Sequence, residues 1–327
     1  MSFSIGNIRI DDPVFLAPLS GISDLPFRRI VKEYGAGLVF SEMIASRSMI
    51  QNSGESLKMS SSCEAEKPMA VQLAGCEPDV MAQAAQMNVD RGADIIDINF
   101  GCPVKKIVNK MGGSALMREI DLATEIMAAT VRAVNVPVTV KMRLGWDEHS
   151  INAPELARRA EDVGVQMVTV HGRTRMQMYK GQADWSAIRA VKEAISIPLI
   201  ANGDIETPQD AKRALEISGA DGVMIGRGCQ GKPWTIRDTI AYLKGTPIPE
   251  APNLEEVREL MHRHYNDILQ YYGERTGIPL ARKHMAWYVT GLRGANTFRE
   301  DINKMPNAED VRARIDQLFE EQYLAAA

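Results

Sequence analysis

The run Ile95-Ile96-Asp97-Ile98-Asn99-Phe100-Gly101-Cys102-Pro103 begins with the branched, apolar side chains of a buried strand and loses that character at Asn99. Gly101 permits a tight backbone turn because it lacks a Cβ, and Pro103 stiffens the exit. Cys102 therefore stands just past a strand end, at the rim of a fold. A lone cysteine is most often a small buried hydrophobe. The Gly-Cys-Pro setting, and the basic continuation through Lys105-Lys106 to Gly112-Gly113-Ser114, instead mark Cys102 as the candidate reactive residue.

Seven further strand-like runs are spaced along the chain: Val14 to Pro18, Leu38 to Glu42, Ala70 to Leu73, Val138 to Lys141, Val168 to His171, Leu199 to Asn202 and Gly222 to Ile225. Amphipathic helical stretches separate most of them, at Pro78 to Asp90, Leu122 to Ala133, Pro154 to Val163, Trp185 to Ala194 and Pro208 to Glu216. Such alternation predicts parallel strands joined by crossover helices. Eight units over a span of roughly 250 residues fit a TIM (β/α)8 barrel. A doubly wound sheet is disfavoured because no G-x-G-x-x-G follows the first run. In a TIM barrel the active site sits at the C-terminal strand ends. Here those ends read Pro18, Glu42, Gln72, Asn99, Lys141, His171, Asn202 and Gly226, a concentration of polar residues that structure alone does not require.

Three prolines between Gly245 and Asn253 read as a linker. Beyond it the periods are helical, at Leu254 to Tyr272, Pro279 to Thr290 and Ala308 to Leu324, with Trp287 and Tyr288 expected in their core. The expected organisation is an α/β barrel over 1–245, a linker over 246–252 and a small all-α domain over 253–327.

The chain has 327 residues, 45% of them hydrophobic, enough for a large core. Its four cysteines show no C-x-x-C spacing, so neither a zinc site nor a disulfide framework is expected, and a reducing cytoplasm is. The opening residues lack a signal-peptide pattern and no run of about 20 apolar residues occurs, so neither a signal peptide nor a membrane span is expected. Histidines and carboxylates show no metal-ligand spacing. The net charge of −4 argues mildly against a nucleic-acid partner, yet charge is local. Lys105, Lys106, Lys110 and Arg118 lie in one acid-free run, and Arg275, Arg282, Lys283, Arg293 and Arg299 in another. A single such run is usually a solvated face; two make a concave basic surface plausible.

Ala201-Asn202-Gly203-Asp204-Ile205 and Ile225-Gly226-Arg227-Gly228 follow the seventh and eighth runs, where this barrel commonly binds phosphate. Lys141 at the barrel mouth demands an anionic or electron-rich partner. Schiff-base chemistry is one solution, and a positive charge beside the N1–C2 edge of a reduced flavin is another. The Gln72 amide can donate and accept at once, as the N3–O4 edge of a flavin or a pyrimidine requires. His171 is expected to contact cofactor or substrate. These residues leave aldolase and flavoenzyme both open.

Taken together, the motifs resemble those of the tRNA-dihydrouridine synthases, most closely the bacterial B subgroup. The resemblance rests on Ala17-Pro18-Leu19-Ser20-Gly21, Ser41-Glu42-Met43, Val71-Gln72-Leu73-Ala74-Gly75, Asn99-Phe100-Gly101-Cys102-Pro103-Val104-Lys105-Lys106, Lys141-Met142-Arg143-Leu144-Gly145-Trp146 and His171-Gly172-Arg173-Thr174-Arg175. It continues through Ala201-Asn202-Gly203-Asp204, Met224-Ile225-Gly226-Arg227 and Ala281-Arg282-Lys283-His284, so it spans essentially the whole chain. It implies an FMN enzyme that reduces the 5,6 double bond of D-arm uridines in tRNA, position 17 by the subgroup likeness, with NADPH recharging the flavin. Carried over by position, Pro18, Leu19, Ser20, Gln72, Lys141, Asn202, Gly203, Asp204, Gly226 and Arg227 would hold FMN, His171 would lie beside it, and Cys102 would be the general acid. Asn99 and Arg143 would face the uracil. Lys105, Lys106, Arg282, Lys283 and His284 would grip tRNA. A monomer is expected. Two rivals stand beside this reading: an FMN barrel acting on a free pyrimidine, and a non-catalytic RNA-binding protein on a retained barrel.

Overall fold

The computed structural model describes residues 2–326. Eight parallel strands form the barrel: β1 (Val14–Leu16), β2 (Val39–Phe40), β3 (Met69–Ala74), β4 (Ile95–Phe100), β5 (Val138–Arg143), β6 (Met167–His171), β7 (Leu199–Asn202) and β8 (Gly222–Ile225). Each pairs with its neighbour in chain order, β8 returns to β1, and a bridge between Phe15 and Leu38 closes the ring. Every residue of these strands is buried except His171, because helices cover the outside and side chains fill the inside.

Crossover helices α1 (Leu25–Glu33), α2 (Pro78–Asp90), α3 (Ile120–Ala133), α4 (Ala153–Asp162), α5 (Trp185–Ala194), α6 (Pro208–Ser218) and α7 (Thr235–Lys244) build the outer layer. The start of α6 shows local sequence acting directly. Thr207 and Asp210 form a reciprocal capping box, Pro208 sits at the first turn, and Gly219 ends the helix in the left-handed region. Inside the barrel, Phe15, Phe40, Ala70, Ile95, Met167, Ile200 and Met224 pack together. An antiparallel hairpin, Phe3–Ile5 with Ile8–Ile10, joins this cluster through Ile5 and Ile10 and plugs the N-terminal end of the barrel. The C-terminal end stays open for chemistry.

After α7 the chain runs without helix or strand to α8 (Leu254–Tyr272), followed by α9 (Glu274–Tyr288), α10 (Ala295–Lys304) and α11 (Ala308–Ala326). Their core, from Val257 to Phe319, includes Ile30 of α1, so the helical part is fused to the barrel wall. Helix α9 starts five residues before the expected Pro279. That proline is exposed, so its ring faces solvent, while Gly277, Ile278 and Ala281 bury the other side. Helix α10 was not expected: it is short and largely polar, with only Ala295, Phe298 and Ile302 buried. Tyr288 is buried as expected, whereas Trp287 is only half-buried.

Candidate active site

Polar side chains alternate along the strands and meet at the barrel mouth in register. Gln72 lies opposite Asp97, Asp97 opposite Thr139, and Asn99 opposite Lys141. Gln72 Nε2 donates to Asp97 Oδ2 at 2.7 Å, and Thr139 Oγ1 to Asp97 Oδ1 at 2.6 Å. Asn99 Nδ2 donates to Gln72 Oε1 at 2.7 Å, while Asn99 Oδ1 accepts the N–H groups of Gly101 and Cys102 at 3.1 and 2.9 Å. Both amides thus spend most of their capacity on each other and on the loop. One N–H of each remains for a ligand. Burial pushes Asp97 up to about 6 against the two hydrogen bonds it accepts.

The loop carrying Cys102 is held from three sides. Besides Asn99, Ser114 donates its N–H and Oγ to the Cys102 carbonyl at 3.0 and 2.9 Å. Arg143 Nε donates to the Gly101 carbonyl at 2.8 Å, and its Nη1 reaches Thr174 O and Met178 O, tying this loop to the one after β6. The expectation for Gly101 needs correcting: it is not in the left-handed region, and a Cβ there would meet nothing closer than 3.5 Å. The glycine this loop requires is Gly113, at φ +59°, where a Cβ would press to 2.7 Å from the Cys102 carbonyl. Burial raises the Cys102 thiol above its ordinary pKa, outweighing the pull of the Val104 N–H and of Arg143 and Lys141. The thiol stays protonated at neutral pH.

Lys141 Nζ makes no hydrogen bond or ion pair with the described residues. Burial, then the neighbouring Arg143, lower it to about 8. His171 is held well below its ordinary pKa by burial and by the surrounding cations, first Lys141, so it is a neutral imidazole. Beyond it, Asp204 at φ +52° receives Arg173 and Arg227 together, the latter at 2.9 Å, and also the Ala183 N–H. Burial alone would raise this carboxyl; the Arg173 hydrogen bond leads the effects that hold it below the usual range. Gly203, at φ +112°, leaves room that a Cβ would lack, 2.8 Å from Ala183.

A cavity of about 350 Å³ opens at the C-terminal strand ends. It is lined by Pro18, Leu19, Ser20, Gln72, Asn99, Cys102, Lys141, Arg143, His171, Asn202, Gly203, Asp204, Gly226 and Arg227. Its volume lies in the range of small-ligand sites. Tyr179 also lines it, half-exposed between Arg143 and Arg227, whose guanidinium carbons are 5.6 and 5.7 Å from the ring centre. Sequence reasoning missed Tyr179; an aromatic in a polar loop after a barrel strand was its only signal. Among the described residues no cluster of His, Cys, Asp or Glu could hold a metal, and no helix is long and apolar enough to cross a membrane.

The basic residues expected to grip tRNA are dispersed. Lys105 and Lys106 are exposed on a helical turn beyond Cys102. His284 is a correction: it is 2% exposed, packed against Phe27, His264 and Trp287, and reaches no surface. The Arg282 guanidinium is turned inward, donating to Ile302 O and Met305 O at the end of α10. Lys283 leans back onto the barrel. Its Nζ stands over Gly21, whose N–H is bound by the buried Glu42 carboxylate.

A family model described as Dihydrouridine synthase matches residues 15–324. The chain belongs to the dihydrouridine synthase family. A relative from Rickettsia bellii, named probable tRNA-dihydrouridine synthase, is 55% identical over 316 residues, covering 96% of this chain and 97% of its own. The tRNA-dihydrouridine synthase B of Pseudomonas aeruginosa is 44% identical, with 97% of this chain and 96% of its own covered. The old yellow enzyme homologue from Zymomonas mobilis superposes with a TM-score of 0.54 over 76% of this chain and 93% of its own, at 15% identity. That likeness shows the barrel fold alone. As a member of the dihydrouridine synthase family, the chain brings its Cys102 loop and its Lys141 strand to one cavity.

Proposed function

We propose that this dihydrouridine synthase reduces the C5=C6 bond of D-arm uridines in tRNA, position 17 among them, with FMN as bound cofactor and NADPH as its reductant. The observation that carries the reading is a protonated thiol and an unpaired lysine ammonium at the mouth of one cavity. The residues present fit a flavin phosphate. Gly203 keeps the backbone open where a Cβ would press on Ala183 and His171, Gly226 lines the same cavity with Arg227 half-exposed beside it, and Lys141, which also faces that cavity, lacks an anionic partner. Pro18, Leu19, Ser20, Gln72, Asn202 and Asp204 would complete that site, with His171 beside the ring system.

FMN bound there in its reduced form would supply hydride chemistry at C6 of uracil. Negative charge then develops at C5 and O4, and the chain must deliver a proton to C5. Cys102 Sγ holds that proton, because a thiol whose pKa lies above the ordinary value of about 8.5 is not ionised at pH 7. Lys141 and Arg143 provide positive charge beside the cavity, where exclusion of water strengthens it. The remaining N–H of Asn99 is available to the uracil edge. The uridine must leave its stack to enter, as other base-modifying enzymes require. Lys105, Lys106 and Lys283, with the rest of the helical part, would position tRNA by its shape and phosphates. We place the protein in the cytoplasm, acting as a monomer.

The test is incubation of the purified protein with FMN, NADPH and tRNA lacking D-arm modification, followed by mapping of dihydrouridine by position. A new dihydrouridine in the D-arm supports the reading, and position 17 supports its finer part. A bound, reducible flavin with product only from free pyrimidines would replace it by a pyrimidine reductase. No bound flavin would point to a non-catalytic RNA-binding barrel.

A further inference from the structure

Outside the cavity, one indole carries two guanidiniums. Arg118 ends the turn Gly113–Arg118 behind the Cys102 loop, Trp146 follows β5, and Arg175 follows β6. The guanidinium carbons of Arg118 and Arg175 lie 4.1 and 4.7 Å from the centre of the Trp146 ring. Backbone bonds fix this arrangement: Arg175 N–H donates to Gly145 O and Met176 N–H to Trp146 O, both at 2.9 Å, while Asn152 Nδ2 donates to Met117 O at 2.5 Å. Stacking on the ring offsets part of the repulsion between two like charges but not all of it.

Neither guanidinium forms an ion pair with any described residue, although nearby carboxylates exist. Asp147 is turned onto Ser150 and His149, and Glu148 faces His149. Elsewhere on the molecule, Arg47, Arg159, Arg258 and Arg312 each hold a carboxylate. Arg118 is exposed, and Arg175 Nε is buried with no partner. Two planar, unneutralised forks held on one indole suit the oxygens of a phosphodiester. Met176 and Tyr179, 55% and 56% exposed in the adjoining loop, offer apolar surface for an unstacked base.

We propose that Arg118 and Arg175, held on the Trp146 ring, clamp a backbone phosphate of the RNA next to the nucleotide that enters the cavity. The clamp rests on the tRNA reading above. It places the grip on the barrel rim, between the loops after β4, β5 and β6, and the helical part becomes a second contact region.

The experiment measures tRNA affinity across a salt series for the flavin-loaded wild type, R118Q, R118K and the double variant R118Q/R175Q. Flavin absorbance and melting temperature serve as controls on folding. R118Q should lose threefold to tenfold in affinity at about 0.15 M salt, and its log–log salt slope should flatten by roughly 0.7 to 0.9, one released counterion. The double variant should flatten it about twice as much, and R118K should restore the slope with part of the affinity. If the ring only braces the loops, R118Q would lower the melting temperature and leave the salt slope at the wild-type value, which overturns the clamp. Wild-type protein that binds no tRNA would overturn the functional reading itself, and the clamp with it.

Discussion

Asn99 Oδ1 accepts the backbone N–H of Cys102 at 2.9 Å, so a side chain of β4 fixes the loop that carries the thiol. The same oxygen takes the Gly101 N–H, and its amide nitrogen is anchored on Gln72. Asn99→Ala would leave two N–H groups without partners in a largely buried loop, at a cost of about 1–3 kcal/mol. Misplacement of a reacting group by about 1 Å can cost a hundredfold in rate. We expect single-turnover dihydrouridine formation to fall ten- to a hundredfold. Alkylation of Cys102 should change its rate in parallel. A variant with wild-type turnover would remove Asn99 from the positioning of the thiol.

Cys102→Ala should retain flavin binding and NADPH oxidation while losing roughly 10²- to 10⁴-fold in dihydrouridine formation, the usual scale of general-acid catalysis. Because burial raises the thiol, the rate on tRNA should hold through neutrality. It should decline only as pH rises through the elevated thiol pKa. A fall in rate centred below neutrality would show that another group donates the proton.

Lys141 offers a stability test that needs no substrate. Its folded pKa of about 8 lies below the 10.5 of the unfolded chain, so between those values the folded state binds fewer protons and stability rises with pH. Below pH 8 the full cost of the buried charge is present. Lys141→Met should therefore stabilise the flavin-free protein at pH 7, by an amount on the order of 1–3 kcal/mol, with the advantage shrinking toward pH 10. The same variant should bind flavin more weakly. A melting temperature below that of the wild type at pH 7 would contradict the burial cost.

Asp24 caps α1 by accepting the Phe27 N–H, yet burial pushes it up to about 7 from 3.8. Its folded pKa is raised, so the folded state binds more protons than the unfolded chain in that window, and stability falls as pH climbs from about 4 to 7. Asp24→Asn keeps a good cap without the charge. Its gain over wild type should be absent near pH 4 and grow to a plateau above pH 7. Thermal melts of both proteins across this range would check it; parallel curves would refute it.

Arg282 supports the end of α10 through two backbone carbonyls. Arg282→Gln should cost about 1–3 kcal/mol of stability, seen by chemical denaturation, and change tRNA affinity less than twofold. A large loss of tRNA affinity with unchanged stability would return Arg282 to the binding surface.

By itself the sequence determined the barrel and the end of it where chemistry gathers. Buried parallel strands read as apolar runs, and a polar residue near the inward C-terminal end of several of them is a local, period-two signal; Gln72, Asn99, Lys141 and His171 were legible for that reason. Capping residues such as Thr207 and Asn253 are equally local. Only the tertiary structure decided how those polar groups are spent. Asn99 is committed to the Cys102 loop, and Gly113, not Gly101, makes room for that loop. Arg282 and His284 turn inward, though they stand in a basic run that reads as surface. Arg118, Trp146 and Arg175 meet from three separate loops. The physical reason is that a side chain's direction depends on partners far away in sequence, where burial and hydrogen bonding outweigh local propensity, and those partners exist only once the barrel has closed.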